Sequence, residues 1–145
     1  MLAVIFIYIS IMAFELDMTE KTPQVLFDTE KGDFLFTGIM MPEDAVGFFE
    51  PLFGYIKIYF ENPCPETKLE VNLEYFNTSS SRMLYQFMKE FADNQSDKSN
   101  VTIVWKYEVD DEDMEEAGEE FKLLFDNIHF SMETIERPRV FEVMG

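Results

Sequence analysis

The residues most suited to a chemical role form one short run, Asn77, Thr78, Ser79, Ser80 and Ser81. An alternating apolar pattern precedes this run and a helical pattern follows it, which predicts that the hydroxyls lie where a strand turns into a helix. The start of a helix exposes unpaired backbone N–H groups and the positive end of the helix dipole, and both favour an anion. Asn, Ser and Thr are also preferred N-cap residues, so the run could serve for capping alone.

Covalent modification is the more specific chemistry that this run could carry. A phosphoryl group on Thr78 would bring about −1.5 to −2 charges close to the backbone donors of the helix start. Arg82 lies four residues further on, a spacing that places two side chains on one side of a helix. Such a group would change the surface without melting the helix, as a reversible switch between partners requires. On the motif alone, capping is the favoured interpretation.

A second candidate site is an acidic run, made of Asp110, Asp111, Glu112, Asp113, Glu115 and Glu116. An EF-hand calcium loop needs Gly at its sixth position, and counting from Asp111 that position is Glu116. The run is therefore predicted to be the solvated start of a helix or a docking surface for a basic partner. A small-ligand or metal site on this acidic patch is the alternative function.

The remaining polar residues give no sign of catalysis. The chain has one cysteine, Cys64, and one histidine, His129, so it can form neither an internal disulfide nor a Cys/His zinc cluster. No glycine-rich phosphate loop, Ser–His–Asp set or carboxylate pair is recognisable. We therefore predict a protein that is not an enzyme and that needs no cofactor, in a reducing compartment such as the cytoplasm.

The apolar content and the net charge limit the kinds of partner that the chain can bind. Hydrophobic residues make up 47% of the 145 residues, enough for one domain with a real core. The formal net charge is −18, from 29 acidic and 11 basic residues. This charge would repel phosphates, so we expect neither nucleic acid nor an anionic membrane surface as partner. A basic protein surface is compatible with it.

The periodicities predict the order β, β, α, β, α, β, α, β. Strands are expected over 22–28 and 34–37, as a hairpin ended by Gly38, and a helix then opens at Pro42, with a kink or break at Pro51. Strands over 68–76, 101–107 and 130–135 alternate with helices over 80–92 and 114–124. In the first of these strands, the predicted buried face carries Leu69, Val71, Leu73 and Tyr75. This order predicts an α/β sandwich of two layers, with a mixed sheet and the helices mainly on one face.

The first 14 residues are almost continuously apolar but too short to span a bilayer, and they lack the features of a signal peptide. An over-extended start, with Met12 or Met18 as the internal start, is favoured over an additional strand, a membrane anchor or a signal peptide. We therefore predict an N-terminal extension over 1–19, a domain over 20–136 and a tail over 137–145.

Several short blocks resemble the bacterial SiaC family of regulatory phosphoproteins. The most specific is the block that runs from Tyr75 through Asn77 and Thr78 to Ser81. The others are Thr22-Pro23, Met41-Pro42-Glu43-Asp44-Ala45, Trp105-Lys106-Tyr107 and Asp110-Asp111-Glu112-Asp113-Met114. The resemblance extends over residues 20–135, nearly the whole predicted domain.

This resemblance implies a STAS-like fold and a role in partner switching. Thr78 would be phosphorylated by a serine/threonine kinase and dephosphorylated by a PPM-type phosphatase. The unphosphorylated protein would bind and activate a diguanylate cyclase, which raises cyclic di-GMP and promotes biofilm formation. The partner would contact the surface around Thr78, formed by Asn77, Ser79, Ser80 and Arg82.

Overall fold

The computed structural model describes residues 13–137, which form one six-stranded sheet and three helices. In chain order the elements are β1 (Ala13–Leu16), β2 (Gln24–Asp28), β3 (Asp33–Met40), α1 (Ala45–Tyr59), β4 (Glu66–Phe76), α2 (Thr78–Asp93), β5 (Asn100–Glu108), α3 (Glu112–Leu124) and β6 (His129–Ile135). The strands lie in the sheet in the same order as in the chain.

The sheet is mixed, and its connections place the helices together. β1, β2 and β3 pair antiparallel, whereas β3, β4, β5 and β6 pair parallel. Each parallel strand lies next to the preceding one in the same direction, so right-handed crossovers carry all three helices over the same face. Phe36, Val71 and Trp105 on that face join the buried core beneath the helices. The predicted two-layer α/β sandwich with a mixed sheet is confirmed.

The opposite face of the sheet carries polar side chains. Lys106 Nζ lies 3.2 Å from Glu70 Oε1 across β4 and β5. Arg137 follows β6 and donates a hydrogen bond to Asn72 Oδ1, and its Nη1 lies 3.9 Å from Glu108 Oε2. These pairs account for the alternation of charged and apolar residues along β4, because one side of the strand faces the core and the other faces polar partners.

The N-terminal part of the sheet differs from the sequence interpretation. β1 pairs antiparallel with β2, with Ala13 opposite Asp28 and Leu16 opposite Val25. The strand precedes Glu20, where the domain was predicted to begin, so the sheet extends beyond that boundary. An additional strand, the less favoured interpretation, therefore describes Ala13–Leu16. Residues 1–12 lie outside the described part, and the expected over-extended start stays a prediction.

Two further predictions, that Gly38 ends the strand and that a helix opens at Pro42, are wrong. β3 continues through Gly38 to Met40, because glycine adopts the φ of 117° that this position requires without steric cost. α1 begins at Ala45 rather than at Pro42, with Asp44 Oδ1 accepting a hydrogen bond from Gly47 N at 3.0 Å. The helix continues through Pro51, where Phe49 and Leu52 on either side are fully buried, so a break is excluded and the expected kink stays a prediction. The other elements lie within three residues of their predicted bounds.

α3 approaches the sheet unusually closely at Gly118. A Cβ atom at this position would lie 2.4 Å from Trp105 Cδ1 and 2.6 Å from Met132 Cε. The indole Nε1 of Trp105 donates a buried hydrogen bond to the Met114 carbonyl at 2.9 Å. Glycine therefore lets the first turns of α3 rest on the only tryptophan of the chain.

A buried hydroxyl chain fixes the other end of the sheet. Tyr59 Oη lies 2.6 Å from Thr67 Oγ1, which in turn lies 2.6 Å from Ser99 Oγ. The Tyr59 hydroxyl also accepts a hydrogen bond from Cys64 N at 3.1 Å. Burial raises the pKa of Tyr59 above its ordinary value of 10.0. These hydrogen-bonded hydroxyls connect the end of α1 to the starts of β4 and β5.

Candidate functional site

A β-bulge immediately precedes the hydroxyl run. Leu73 pairs with Gly38 and Tyr75 pairs with Ile39, so Glu74 is an extra residue in β4. A bulge of this kind reverses the alternation of faces beyond it. Tyr75 is consequently 51% exposed, and Phe76 turns inward to pack against Trp105 at a ring-centroid distance of 6.0 Å. The predicted burial of Tyr75 on the core face is therefore wrong.

The helix that follows is capped by Asn77. Asn77 Oδ1 accepts hydrogen bonds from Ser80 N at 3.0 Å and from Ser79 Oγ at 3.3 Å. The backbone N–H of Asn77 donates to the Met40 carbonyl at 3.2 Å, which ties the turn to the end of β3. Thr78 is therefore the first residue of α2, and its side chain is not needed for capping. The expectation that a hydroxyl run starts a helix is confirmed, and Asn77 is the cap.

The four hydroxyls have different environments. Thr78 and Ser79 are exposed, Ser81 is half-buried, and Ser80 is fully buried at 0% exposure. Ser79 is engaged by the cap, whereas the Thr78 hydroxyl has no hydrogen-bond partner within residues 13–137. Ser80 Oγ is buried without a partner in the same part of the chain. Ser80 was predicted to contact a partner, and this needs correction because its side chain points into the core.

The structure brings the other predicted site residues together. Asn77, Thr78, Ser79 and Arg82 line one cleft of about 660 Å³ between the first turns of α1 and α2. The Arg82 side chain is exposed and forms no ion pair with any other described residue. It also borders a second cleft of about 400 Å³ between α2 and α3. Four of the five predicted residues thus line the first of these clefts, the one between α1 and α2, which we call the Thr78 cleft.

The opposite wall of the Thr78 cleft was missed by the sequence interpretation. It consists of the residues that begin α1, namely Glu43, Asp44, Ala45 and Val46. Asp44 is held in place as the cap of α1, and Glu43 Oε1 lies 3.8 Å from the exposed Lys21 Nζ. Val46 is 62% exposed although apolar. The cleft therefore has a hydroxyl wall with one cation and an opposing wall with two carboxylates.

The acidic run of segment 110–116 forms the start of α3. Asp111 is the N-cap, accepting a hydrogen bond from Met114 N at 3.1 Å, and Glu112, Asp113 and Glu115 lie in the first turn. This confirms the helix interpretation, because carboxylates are favoured beside the exposed N–H groups. No group of three or more His, Cys, Asp or Glu side chains is arranged to hold a metal ion among the described residues. The structure therefore adds no support for the metal-binding alternative.

Two side chains, Lys89 on α2 and Tyr107 on β5, have raised pKa values. The hydrogen bond from Lys89 Nζ to Asp93 Oδ2, at 2.6 Å, raises the pKa of Lys89. Burial, followed by the carboxylates of Glu115 and Glu119, raises the pKa of Tyr107 above 10.0. Neither group lines the Thr78 cleft. Within residues 13–137, no helix is both long and apolar enough to cross a membrane.

Together, the sheet order, the bulge and the Thr78 cleft define a small α/β domain with an exposed hydroxyl site at the carboxyl edge of its parallel strands. The chain belongs to the SiaC family of regulatory phosphoproteins, whose family model matches residues 16–135. This confirms the resemblance that the Tyr75–Ser81 block suggested.

Solved structures of this family share the fold. The chain is similar to SiaC in the crystal structure of the diguanylate cyclase SiaD with its activator SiaC from Pseudomonas aeruginosa, with a TM-score of 0.77 and 21% identity over 84% of this chain and 99% of that one. Apo-SiaC from the same organism gives a TM-score of 0.74 and 21% identity over 83% and 98%. An uncharacterised protein of P. aeruginosa strain UCBPP-PA14 is 23% identical over 72% of this chain and 82% of its own length.

Proposed function

We propose that this chain is a non-enzymatic, cytoplasmic switch protein whose phosphoacceptor is Thr78. A serine/threonine kinase adds the phosphoryl group and a PPM-type phosphatase removes it. In the unphosphorylated state the chain binds and activates a diguanylate cyclase, and so promotes cyclic di-GMP signalling and biofilm formation. Family membership and the SiaD–SiaC complex of the P. aeruginosa relative support a cyclase as the target.

The observation that carries this proposal is the state of the Thr78 hydroxyl. It is exposed at an open cleft, and it is not tied to any other described residue, so a kinase can reach it without unfolding the helix. A dianion at the first residue of α2 lies beside unpaired N–H groups, and the fold therefore tolerates it. Ser80 lacks access and Ser79 is engaged with Asn77, so neither competes equally as acceptor.

The binding surface in this proposal consists of Asn77, Ser79 and Arg82, which line the Thr78 cleft. The proposal adds Tyr75, whose ring is exposed three residues before Thr78 in the chain. Exposed aromatic and arginine side chains are the types that contribute most to protein interfaces. A phosphoryl group in the middle of this surface adds charge, bulk and bound water where the partner docks. Phosphorylation is therefore expected to release the cyclase.

Phosphorylation is tested by incubating the purified chain with its kinase and ATP, followed by mapping of the modified residue by mass spectrometry. We expect one phosphate on Thr78 in the wild-type chain and in Ser79→Ala, and none in Thr78→Ala. The Ser79→Ala variant is the matched control, because it removes the other exposed hydroxyl of the run. Modification confined to Ser79 or Ser81 would contradict the assignment.

Switching is tested by calorimetric titration of the cyclase with three forms of the chain. Thr78→Ala should bind like the wild type, because its hydroxyl supports no contact within the fold. Thr78→Glu should bind at least about tenfold more weakly, since a charge beside a docked surface costs more than about 1.4 kcal/mol. Equal affinity of all three forms would place the switch elsewhere.

A further inference from the structure

Arg82 holds a special position in the Thr78 cleft. It is the one cation among the described residues that line this cleft, on a chain whose net charge is −18. Thr78 and Arg82 are the first and fifth residues of α2, so their side chains lie on the same side of the helix. No carboxylate in the part of the chain that the structure describes forms an ion pair with Arg82. Its guanidinium is therefore available to an incoming anion.

The charges that face Arg82 come from α1, from α3 and from the segment before β2. From α3, Glu120 lines the second cleft together with Arg82. Arg82 belongs to α2, whereas Glu43 and Asp44 face it from the start of α1, with Lys21 near Glu43. Asp44 is fixed as a helix cap and cannot turn away without loss of its hydrogen bond to Gly47 N. A phosphoryl group on Thr78 is consequently repelled by the α1 wall and attracted along its own helix. The field in the cleft directs it to Arg82.

We propose that Arg82 is the residue through which phosphorylation of Thr78 releases the target, because two anions compete for its guanidinium. In the unphosphorylated chain, Arg82 binds a carboxylate that the target presents to the Thr78 cleft. In the phosphorylated chain, the phosphoryl group of residue 78 takes the guanidinium in a charge-assisted, bidentate pair, and the target loses its cation. This inference rests on the proposed function, and it adds that the target's contact surface is acidic at this point.

The pair between the phosphoryl group and Arg82 is tested without the kinase, by incorporating phosphothreonine at position 78 through genetic code expansion. The ³¹P NMR signal is then followed against pH in the full-length chain. A neighbouring cation lowers the second pKa of a phosphoryl group, which is near 6. We expect Arg82→Gln to raise that pKa by about 0.5 and Arg82→Lys to raise it less, because lysine keeps the charge but not the bidentate geometry.

Lys89→Gln is the matched control, since it removes one positive charge from the same helix at a residue already paired with Asp93. It should leave the phosphoryl pKa unchanged. Glu43→Gln should lower the pKa, because it removes a repelling charge from the opposite wall. An identical titration in the wild-type, Arg82→Gln and Lys89→Gln chains would overturn the pairing.

Competition for Arg82 is tested by a double-mutant cycle of cyclase affinity, in which Arg82→Gln is combined with phosphothreonine at position 78. In the unphosphorylated chain, Arg82→Gln should weaken binding about tenfold or more, whereas Lys89→Gln should change it less than about twofold. With phosphothreonine at position 78, Arg82→Gln should cause less than about a twofold further loss, because the cation is already occupied. Independent, multiplying effects would refute the competition. If no cyclase binds or no kinase modifies Thr78, the proposed function fails, and the ³¹P titration still decides the pairing.

Discussion

Two glycines inside helices allow the packing of α3 on the sheet to be tested with one and the same substitution. In Gly118→Ala the new methyl group would lie 2.4 Å from Trp105 Cδ1 and 2.6 Å from Trp105 Nε1. The indole cannot give way easily, because it is fully buried and donates to the Met114 carbonyl. In Gly54→Ala the new methyl group has no neighbour within 4 Å among the described residues.

The two variants should change stability in opposite directions. Alanine is favoured over glycine inside a helix by about 1 kcal/mol, and this gain applies at both positions. Forcing a methyl group into a filled core costs about 1–3 kcal/mol, and we take about 3 kcal/mol because two atoms of a rigid ring are approached. Gly118→Ala should therefore lose about 2 kcal/mol, and Gly54→Ala should gain up to about 1 kcal/mol.

Urea denaturation, followed by circular dichroism and by the fluorescence of the single tryptophan, Trp105, measures the free energy of unfolding of both variants. Thermal unfolding followed by circular dichroism is the second measurement. For a chain of 145 residues, we expect the midpoint of thermal unfolding to fall by about 6 °C in Gly118→Ala and to rise by about 3 °C in Gly54→Ala. If Gly118→Ala is as stable as the wild type, α3 does not rest on Trp105 as closely as described. A loss in Gly54→Ala similar to that in Gly118→Ala would show that the clash is not the cause.

Four further substitutions probe the turn before α2 and the buried hydroxyl chain. Asn77→Ala should lower the free energy of unfolding by about 1 kcal/mol, as loss of an N-cap does, whereas Thr78→Ala should change it by less than about 0.5 kcal/mol in the same urea titration. Ser80→Ala should raise stability by about 1 kcal/mol, because it removes a buried hydroxyl without a partner among the described residues, and it should leave cyclase affinity unchanged. The raised pKa of Tyr59 means that the folded chain keeps this phenol protonated where the unfolded chain ionises it, so the resulting stability is present below pH 10.0 and lost as the pH rises above it. Tyr59→Phe should therefore lose stability less steeply than the wild type between pH 9 and pH 11, and parallel curves would contradict this.

The parts of the fold that follow from periodicity could be predicted from the sequence. The alternation along β4, the helical stripe of α2 and the acidic start of α3 each express one burial or capping preference. The order of strands and helices then implied the parallel pairing and the single helical layer. β1 could not be assigned in this way, because an apolar N-terminus has many interpretations and only its pairing with β2 distinguishes the strand.

The details of the site depended on three-dimensional contacts that leave little trace in the sequence. The wall formed by Glu43 and Val46 is more than thirty residues from Thr78 in the chain, and only the packing of α1 beside α2 brings them into one cleft. The acidic residues after Pro42 do signal a helix start, but not which other helix start lies next to it. The burial of Ser80 is a consequence of where the turn begins, since Asn77 rather than Ser80 is the cap.

The bulge at Glu74 determines which side chains the turn presents. Without the extra residue, strict alternation would bury Tyr75 with Leu73 and direct Phe76 to the polar face. With it, Phe76 packs on Trp105 and Phe121, while Tyr75 is 51% exposed. The inward anchor at Phe76 and the hydrogen bond from Asn77 N to the Met40 carbonyl then fix the direction in which α2 begins. The inserted residue in β4 thus determines which of Tyr75 and Phe76 is buried immediately before the proposed switch at Thr78.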